Sequence, residues 1–149
     1  MTKQELREEL KQSMLARDEF KTSVLRMLIS AIGYMEIQKG GAGYEATEKD
    51  VLSTIEKQVK QRKDSIEQYE KAGRNDLADK EKLELEMLEK YLPEQMGEEE
   101  IKTLVKETIA QTGASNIQDM GKVMGALMPK TKGKADGSLV SKIVREELA

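Results

Sequence analysis

The chain has no cysteine and no histidine. The first absence excludes disulfides and thiolate chemistry, the second excludes imidazole acid–base catalysis, and together they exclude nearly every zinc site. There is no tryptophan, and one phenylalanine, Phe20, stands among 149 residues. Any core must therefore be aliphatic, built from Leu, Ile, Val and Met. No apolar run approaches the ~20 residues a membrane span needs, and the amino terminus MTKQELREEL carries charge from its third residue, with no apolar leader. A cytoplasmic protein, or one equivalently placed in an organelle, is expected, with no membrane partner and no cofactor.

Charge is what the chain has in abundance. Asp, Glu, Lys and Arg make up 36% of it, with both signs interspersed and a net charge of −3. That balance argues against nucleic-acid binding over the whole surface but leaves a local basic patch open, because binding follows where charge sits more than its sum.

The hydrophobic spacing is helical throughout, and no strand pattern occurs. Thr2 with Glu5 has the spacing of a capping box and starts a helix to about Arg17. A second helix begins near Asp18, with Val24, Leu25, Leu28, Ala31, Ile32 and Met35 on its apolar side. The glycines of KGGAGYEA favour a flexible loop. Thr47 with Asp50 opens a third helix carrying Leu52, Ile55, Val59, Ile66 and Tyr69, which Gly73 is placed to end. Asn75 is a candidate cap for a fourth, with Ala78, Leu85, Leu88 and Leu92 inward, stopped by Pro93. LPEQMGEEE is the expected boundary between an amino-terminal helical domain over 1–93 and a three-helix domain over 97–149. Glu98, Glu99 and Glu100 suit the positive end of a new helix; adjacent glutamates fan around a helix and do not converge on a metal ion. Ile101, Leu104, Val105 and Ile109 form the next stripe, ending at Gly113. Ser115 or Asn116 then caps a helix with Ile117, Met120, Met124, Leu127 and Met128 inward. Asp136 caps the last, which offers Leu139, Val140, Ile143, Val144 and Leu148.

Arg62 and Glu81 interrupt apolar seams of the third and fourth helices. In an antiparallel hairpin turning at Gly73 they lie at comparable heights. Two readings stand: a partly buried structural ion pair, or an arginine presented to a ligand.

The stretch DMGKVMGALMPKTKGKADGSLV, Asp119–Val140, holds four glycines and four lysines. Gly within a helix costs about 0.5–1 kcal/mol relative to Ala, so Gly121 and Gly125, four apart, suggest close approach of a helix or a phosphate backbone. Gly125 also stands four before Pro129, whose ring presses on that carbonyl. Gly133 can supply a left-handed helix end. Lys122 lies opposite the apolar stripe, Lys130, Lys132 and Lys134 crowd the helix end, and Lys142 follows on the polar side of the last helix. Asp136 is the only acid between Met120 and Arg145. These lysines are either a solvated face with helix-end chemistry or a patch that holds phosphates as point charges. GKADGS is no phosphate loop, lacking the upstream glycine and the preceding strand. Few aromatics means little base stacking, which favours structured RNA over single strands.

The segment MGKVMGALMPKTKGKADGSLVSKIV closely resembles the carboxyl-terminal signature of the GatB/YqeY family. VKQRKDSIEQYEKAGRNDLADKEKLELEMLEKYLPEQM resembles the amino-terminal domain of its free-standing YqeY-like members. The resemblance covers nearly the full chain. It implies an all-α protein with a helical amino-terminal domain and a small three-helix carboxyl-terminal domain. That second domain is similar to the tail of the GatB component of the glutamine-dependent aspartyl/glutamyl-tRNA amidotransferase, a tail thought to contact tRNA. Gly121, Lys122, Gly125, Lys132, Gly133 and Ala135 carry the match; Ala126 and Pro129 depart from the tail, where Gln and Lys are usual. The body of that component is absent, and no catalytic centre is identifiable. The expectation is an accessory RNA-binding module, tRNA its expected partner. The alternatives are an accessory subunit of a carbon–nitrogen ligase with glutamine as amido donor, and a helical adaptor that docks a protein partner on the Gly121/Gly125 strip.

Overall fold

Helix starts follow the capping residues. In the computed structural model, which covers residues 1–149, seven α-helices and two short 3-10 turns form an all-α fold without strands. Thr2 Oγ1 accepts from the Glu5 amide and Glu5 Oε2 accepts from the Thr2 amide, and α1 runs from Lys3 to Leu15. It stops two residues short of Arg17 because Arg17 turns left-handed, at φ 57°. Asp18 caps α2 (Glu19–Gly40) through the Lys21 amide.

KGGAGYEA does not form an open loop. Helix α2 continues through Gly40, and Gly41–Gly43 makes one 3-10 turn. That turn is pinned by Asp50, which accepts from the Tyr44 hydroxyl at 2.7 Å and from the Thr47 amide at 2.9 Å while meeting Lys39 Nζ at 2.5 Å. Thr47 and Asp50 complete a second capping box and launch α3 (Glu48–Lys71). Gly73, at φ 70°, reverses the chain into α4 (Asn75–Glu89). Asn75 is not the cap. Arg74 takes that position without a side-chain cap, its guanidinium held instead by Asp76.

Met1–Leu92 forms one compact unit. Leu6, Val24, Leu25, Leu28, Ile32, Val51, Ile55, Val59, Met87 and Leu88 make its core. The core is aliphatic, and Phe20 stays 44% exposed. Glu36 is nearly buried but satisfied: it meets Lys3 Nζ at 2.5 Å and accepts from the Ala46 amide at 2.9 Å.

Pro93–Ala149 forms a second unit of three mutually packed helices, α5 (Glu98–Thr112), α6 (Met120–Thr131) and α7 (Gly137–Leu148). Gly113, left-handed at φ 69°, ends α5. Asn116 caps a 3-10 turn at Ile117–Asp119, which feeds α6. Asp136 caps α7 through the Ser138 amide.

The stripe of α6 differs from the sequence expectation. Val123 and Leu127 are fully buried, with Met120 and Met124 beside them, whereas Ile117 is 49% and Met128 57% exposed. Thr131 extends the buried side because its hydroxyl donates to the Leu127 carbonyl and so needs no water. The helix is thus rotated by part of a turn about its axis. Met128 yields its inward place to Val123, a β-branched side chain compact enough to sit between α5 and α7.

Candidate nucleic-acid interface

The rotation of α6 determines what the second unit shows to solvent. At 3.6 residues per turn, a core side centred on Val123, Leu127 and Thr131 puts Gly121, Lys122, Gly125 and Pro129 on the opposite face. On the wheel both glycines fall on one side of Lys122, between it and the Met124 edge of the core, and so clear a strip of side chains there. A Cβ added at Gly121 or Gly125 meets nothing within 4 Å, so neither glycine is required by internal packing. The face is low, bordered by Lys122 on one edge and Met128 on the other. Helix α6 continues through Pro129 to Thr131, and glycine at 125 puts no side chain near the carbonyl that Pro129 leaves without a donor.

Lys130, Lys132 and Lys134 fall within five residues at the carboxyl end of α6, all exposed. Gly133, at φ 78°, makes the turn between the last two. The turn is built, not loose: Gln95 Nε2 donates to the Gly133 carbonyl at 2.7 Å, and the Met96 amide donates to the Lys134 carbonyl at 2.7 Å. The segment from Gln95 to Met96 thus sets the backbone that carries these amines. Sequence reasoning gave it no role beyond a boundary.

No carboxylate lies within 4.0 Å of Lys122, Lys130, Lys132 or Lys134, whereas Lys3, Lys21, Lys39, Lys63, Lys71, Lys82 and Lys102 all have acidic partners. Asp119 comes nearest to answering Lys122. Amides of Ser115 and Asn116 hold its carboxyl below the usual range, and Lys122 adds a smaller electrostatic contribution. Lys130, Lys132 and Lys134 are neighbours in sequence around the helix end. Lys122 stands about 12 Å along the axis from Lys130 at 1.5 Å per residue. Lys142 belongs to another helix and lies 4.0 Å from Glu146.

The Arg62 site is of a different kind. Its Nη1 lies 3.2 Å from Glu81 and 3.0 Å from Glu84, so one cation serves two acids from α4. The Arg62 and Glu84 side chains are each 11% exposed, and Arg62 Nε is buried without a partner. Glu84 was not foreseen, although the turn supplied a signal: Arg62 and Glu84 are equidistant in sequence from Gly73.

The family model described as Yqey-like protein matches residues 3–148. Altered inheritance of mitochondria protein 41, mitochondrial, of Lachancea thermotolerans is 30% identical over 148 residues, covering 95% of this chain and 78% of its own. The protein of the same name from Vanderwaltozyma polyspora is 39% identical over 87 residues, 58% of this chain and 46% of its own. An uncharacterized protein of Schizosaccharomyces pombe is 37% identical over 89 residues, 60% of this chain and 70% of its own. The chain spans about half the length of the Vanderwaltozyma protein and of the protein of the same name from Pyrenophora tritici-repentis, 46% and 56%. With a family match across both units, this all-α chain belongs to the Yqey-like protein family.

Proposed function

We propose that the second unit is an accessory RNA-binding module, with tRNA as its ligand class. The observation that carries the reading is the Lys130–Lys132–Lys134 turn, whose three exposed amines have no acid within 4.0 Å and whose backbone is held by Gln95 and Met96. Mobile surface lysines are ordinary. Lysines on a braced turn, beside a helix face stripped to Gly121 and Gly125, suit a rigid polyanion that approaches closely. The resemblance to the amidotransferase tail points to the same ligand. Lysines act there as point charges on phosphates, so the expected recognition is of shape and charge, not base sequence. An accessory role beside a carbon–nitrogen ligase is compatible with this reading and supplies no chemistry on this chain. Relatives named as mitochondrial leave the proposal unchanged, since tRNA occurs there and in the cytoplasm.

Titration of total tRNA at rising salt tests it. The expected result is binding at low salt that weakens with a slope near −0.9 per phosphate contacted, and a triple Lys130→Glu, Lys132→Glu, Lys134→Glu variant at least ~100-fold weaker. No binding at low salt, or binding indifferent to the triple reversal, overturns the proposal.

One observation favours the adaptor as a second reading. Met128, 57% exposed, borders the bare Gly121/Gly125 face, and exposed Met beside glycine is also how a partner helix is received. Gly121→Leu separates the two: it abolishes capture of such a partner while lysine reversal leaves that capture intact.

A further inference from the structure

Helix α2 is apolar on the wrong side as well as the right one. Its core side carries Val24, Leu25, Leu28 and Ile32, all at or below 1% exposure. Outside that side, Phe20, Met27, Tyr34 and Ile37 are 44%, 40%, 70% and 63% exposed, separated by exposed Ser23 and Ser30. Within Ser23–Ile37, Arg26 and Glu36 are the only charges, in a chain that is 36% charged, and Glu36 faces inward to Lys3. A helix apolar all round is one that something covers.

The order of those outward residues identifies the cover. Phe20, Ser23, Met27, Ser30, Tyr34 and Ile37 recur in alternating steps of three and four, the spacing of a helix–helix seam. Large and small side chains are placed so that the seam complements its own reverse. An antiparallel second helix, centred between Leu28 and Ile29, sets Ser23 against Tyr34 and Met27 against Ser30, with Phe20 against Ile37 at each end. Parallel pairing instead stacks Phe20, Met27 and Tyr34 on their own copies and leaves serine facing serine. Charge favours the same direction. Asp18 and Glu19 mark one end of the helix and Lys39 the other, and Lys39 keeps 52% of its side chain exposed while bonding Asp50. Antiparallel pairing sets Asp18 level with Lys39, with Arg17 and Lys21 also at the first end, and opposes the helix dipoles. Arg26 then reaches the level of Ala31 of the other copy, two residues from Gly33, where an added Cβ would touch nothing within 4 Å. Grooves of about 390 Å³ beside Tyr34 and about 410 Å³ beside Phe20 leave room for inserted side chains near both ends.

We infer that the outward face of α2 is a two-fold homodimer interface, formed with α2 of a second copy in antiparallel register. A seam about 27 Å long buries less than the ~800 Å² per partner of a standard interface, so a micromolar dissociation constant is expected.

Sedimentation equilibrium of the full chain tests the association. The expected result is reversible dimerisation, with Tyr34→Arg weakening it at least ~10-fold while the thermal melt at low concentration is unchanged. A chain that stays monomeric up to ~100 μM, well above the dissociation constant expected here, overturns the inference. So does a dimer that Tyr34→Arg leaves alone. Register is read by oxidative cross-linking, which is clean because the chain has no native cysteine. Ser23→Cys and Tyr34→Cys chains should cross-link to each other when mixed and not to themselves. Self-cross-linking of Ser23→Cys overturns the antiparallel arrangement.

Discussion

The two units differ in where they pair their charges across helices. In Met1–Leu92 many charges are spoken for: Lys3 by Glu36, Lys39 by Asp50, Lys82 by Glu70, Arg62 by two glutamates. In Pro93–Ala149 the amines from Lys122 to Lys134 have no such partners, and the one pair in the last helix is a 4.0 Å contact within a single turn. Charges that answer one another internally position backbone and hold helices in register. Charges left unanswered on a braced backbone are available to something outside. On the proposed function the first unit is scaffold and the second carries the ligand contacts, and the variants that follow probe that division.

The largest effect is expected at Arg62. Arg62→Met leaves Glu81 and Glu84 as like charges in a nearly dry seam, and loss of one partner of a buried pair costs about 3–5 kcal/mol. Chemical denaturation of the first unit should show that loss, with tRNA affinity unchanged under native conditions. Removing all three charges by Arg62→Met, Glu81→Leu and Glu84→Leu should restore most of it, because Arg62 Nε already lacks a partner and the ionic seam is costly to bury. A stable Arg62→Met protein that has lost ligand binding would move Arg62 into the ligand chemistry and blur the comparison.

Next comes the salt dependence of the lysine turn. Its three reversals should remove roughly three phosphate contacts, lowering the slope of log affinity against log salt by about 2.7. Lys142→Glu alone should change it least of the five sites, since Lys142 stands on α7 and already leans on Glu146.

Acid sharpens the contrast through linkage. Hydrogen bonds hold Glu5, Glu36, Asp50, Glu67 and Asp76 of the first unit below their ordinary values, while Asp119 alone is lowered in the second. Asp50 is the most strongly lowered, first by Lys39 and then by Tyr44 and Thr47. A carboxyl depressed in the folded state contributes stability above its unfolded value near ~4 and loses it as pH falls toward the folded one. The first unit should therefore weaken more below about pH 4 than the second, and Asp50→Asn should flatten its acid limb. The alkaline side carries the opposite sign. Burial, then the bond to Glu9, raises the Tyr91 phenol, so its contribution is intact below ~10 and fades above that as pH climbs toward the raised value. Unfolding followed at both extremes, with a probe in each unit, checks the order.

Much of this was legible from the sequence because caps are local chemistry. Thr2, Asp18, Thr47, Asn116 and Asp136 each bond amides within three residues, so side-chain identity at one position fixes a helix start. The exposure of the five lysines was legible because each falls on a polar helix side or at a helix end. The facing of α6 was not. With glycine at two positions and proline at a third, its apolar pattern fits more than one wheel, and contacts with α5 and α7 selected Val123 over Met128. Glu84 was missed because a glutamate on a helix reads as solvent-facing until a partner from a distant helix is placed beside it. Gln95 was missed because its acceptor is a backbone carbonyl 38 residues away, which no spacing encodes.

The smallest effect bears most directly on the bare face of α6. Gly121→Ala and Gly125→Ala add methyl groups that meet nothing within 4 Å, and Ala in a helix is favoured over Gly by about 0.5–1 kcal/mol at each site. Folding alone would therefore select alanine here, and the double variant should raise the stability of the second unit by about 1–2 kcal/mol in denaturant titration. If the glycines exist for close approach of a phosphate backbone, the same variant binds tRNA more weakly although it folds better. A variant that gains stability and keeps full affinity would show that the lysine turn works without the bare face, and binding would then rest on charge alone.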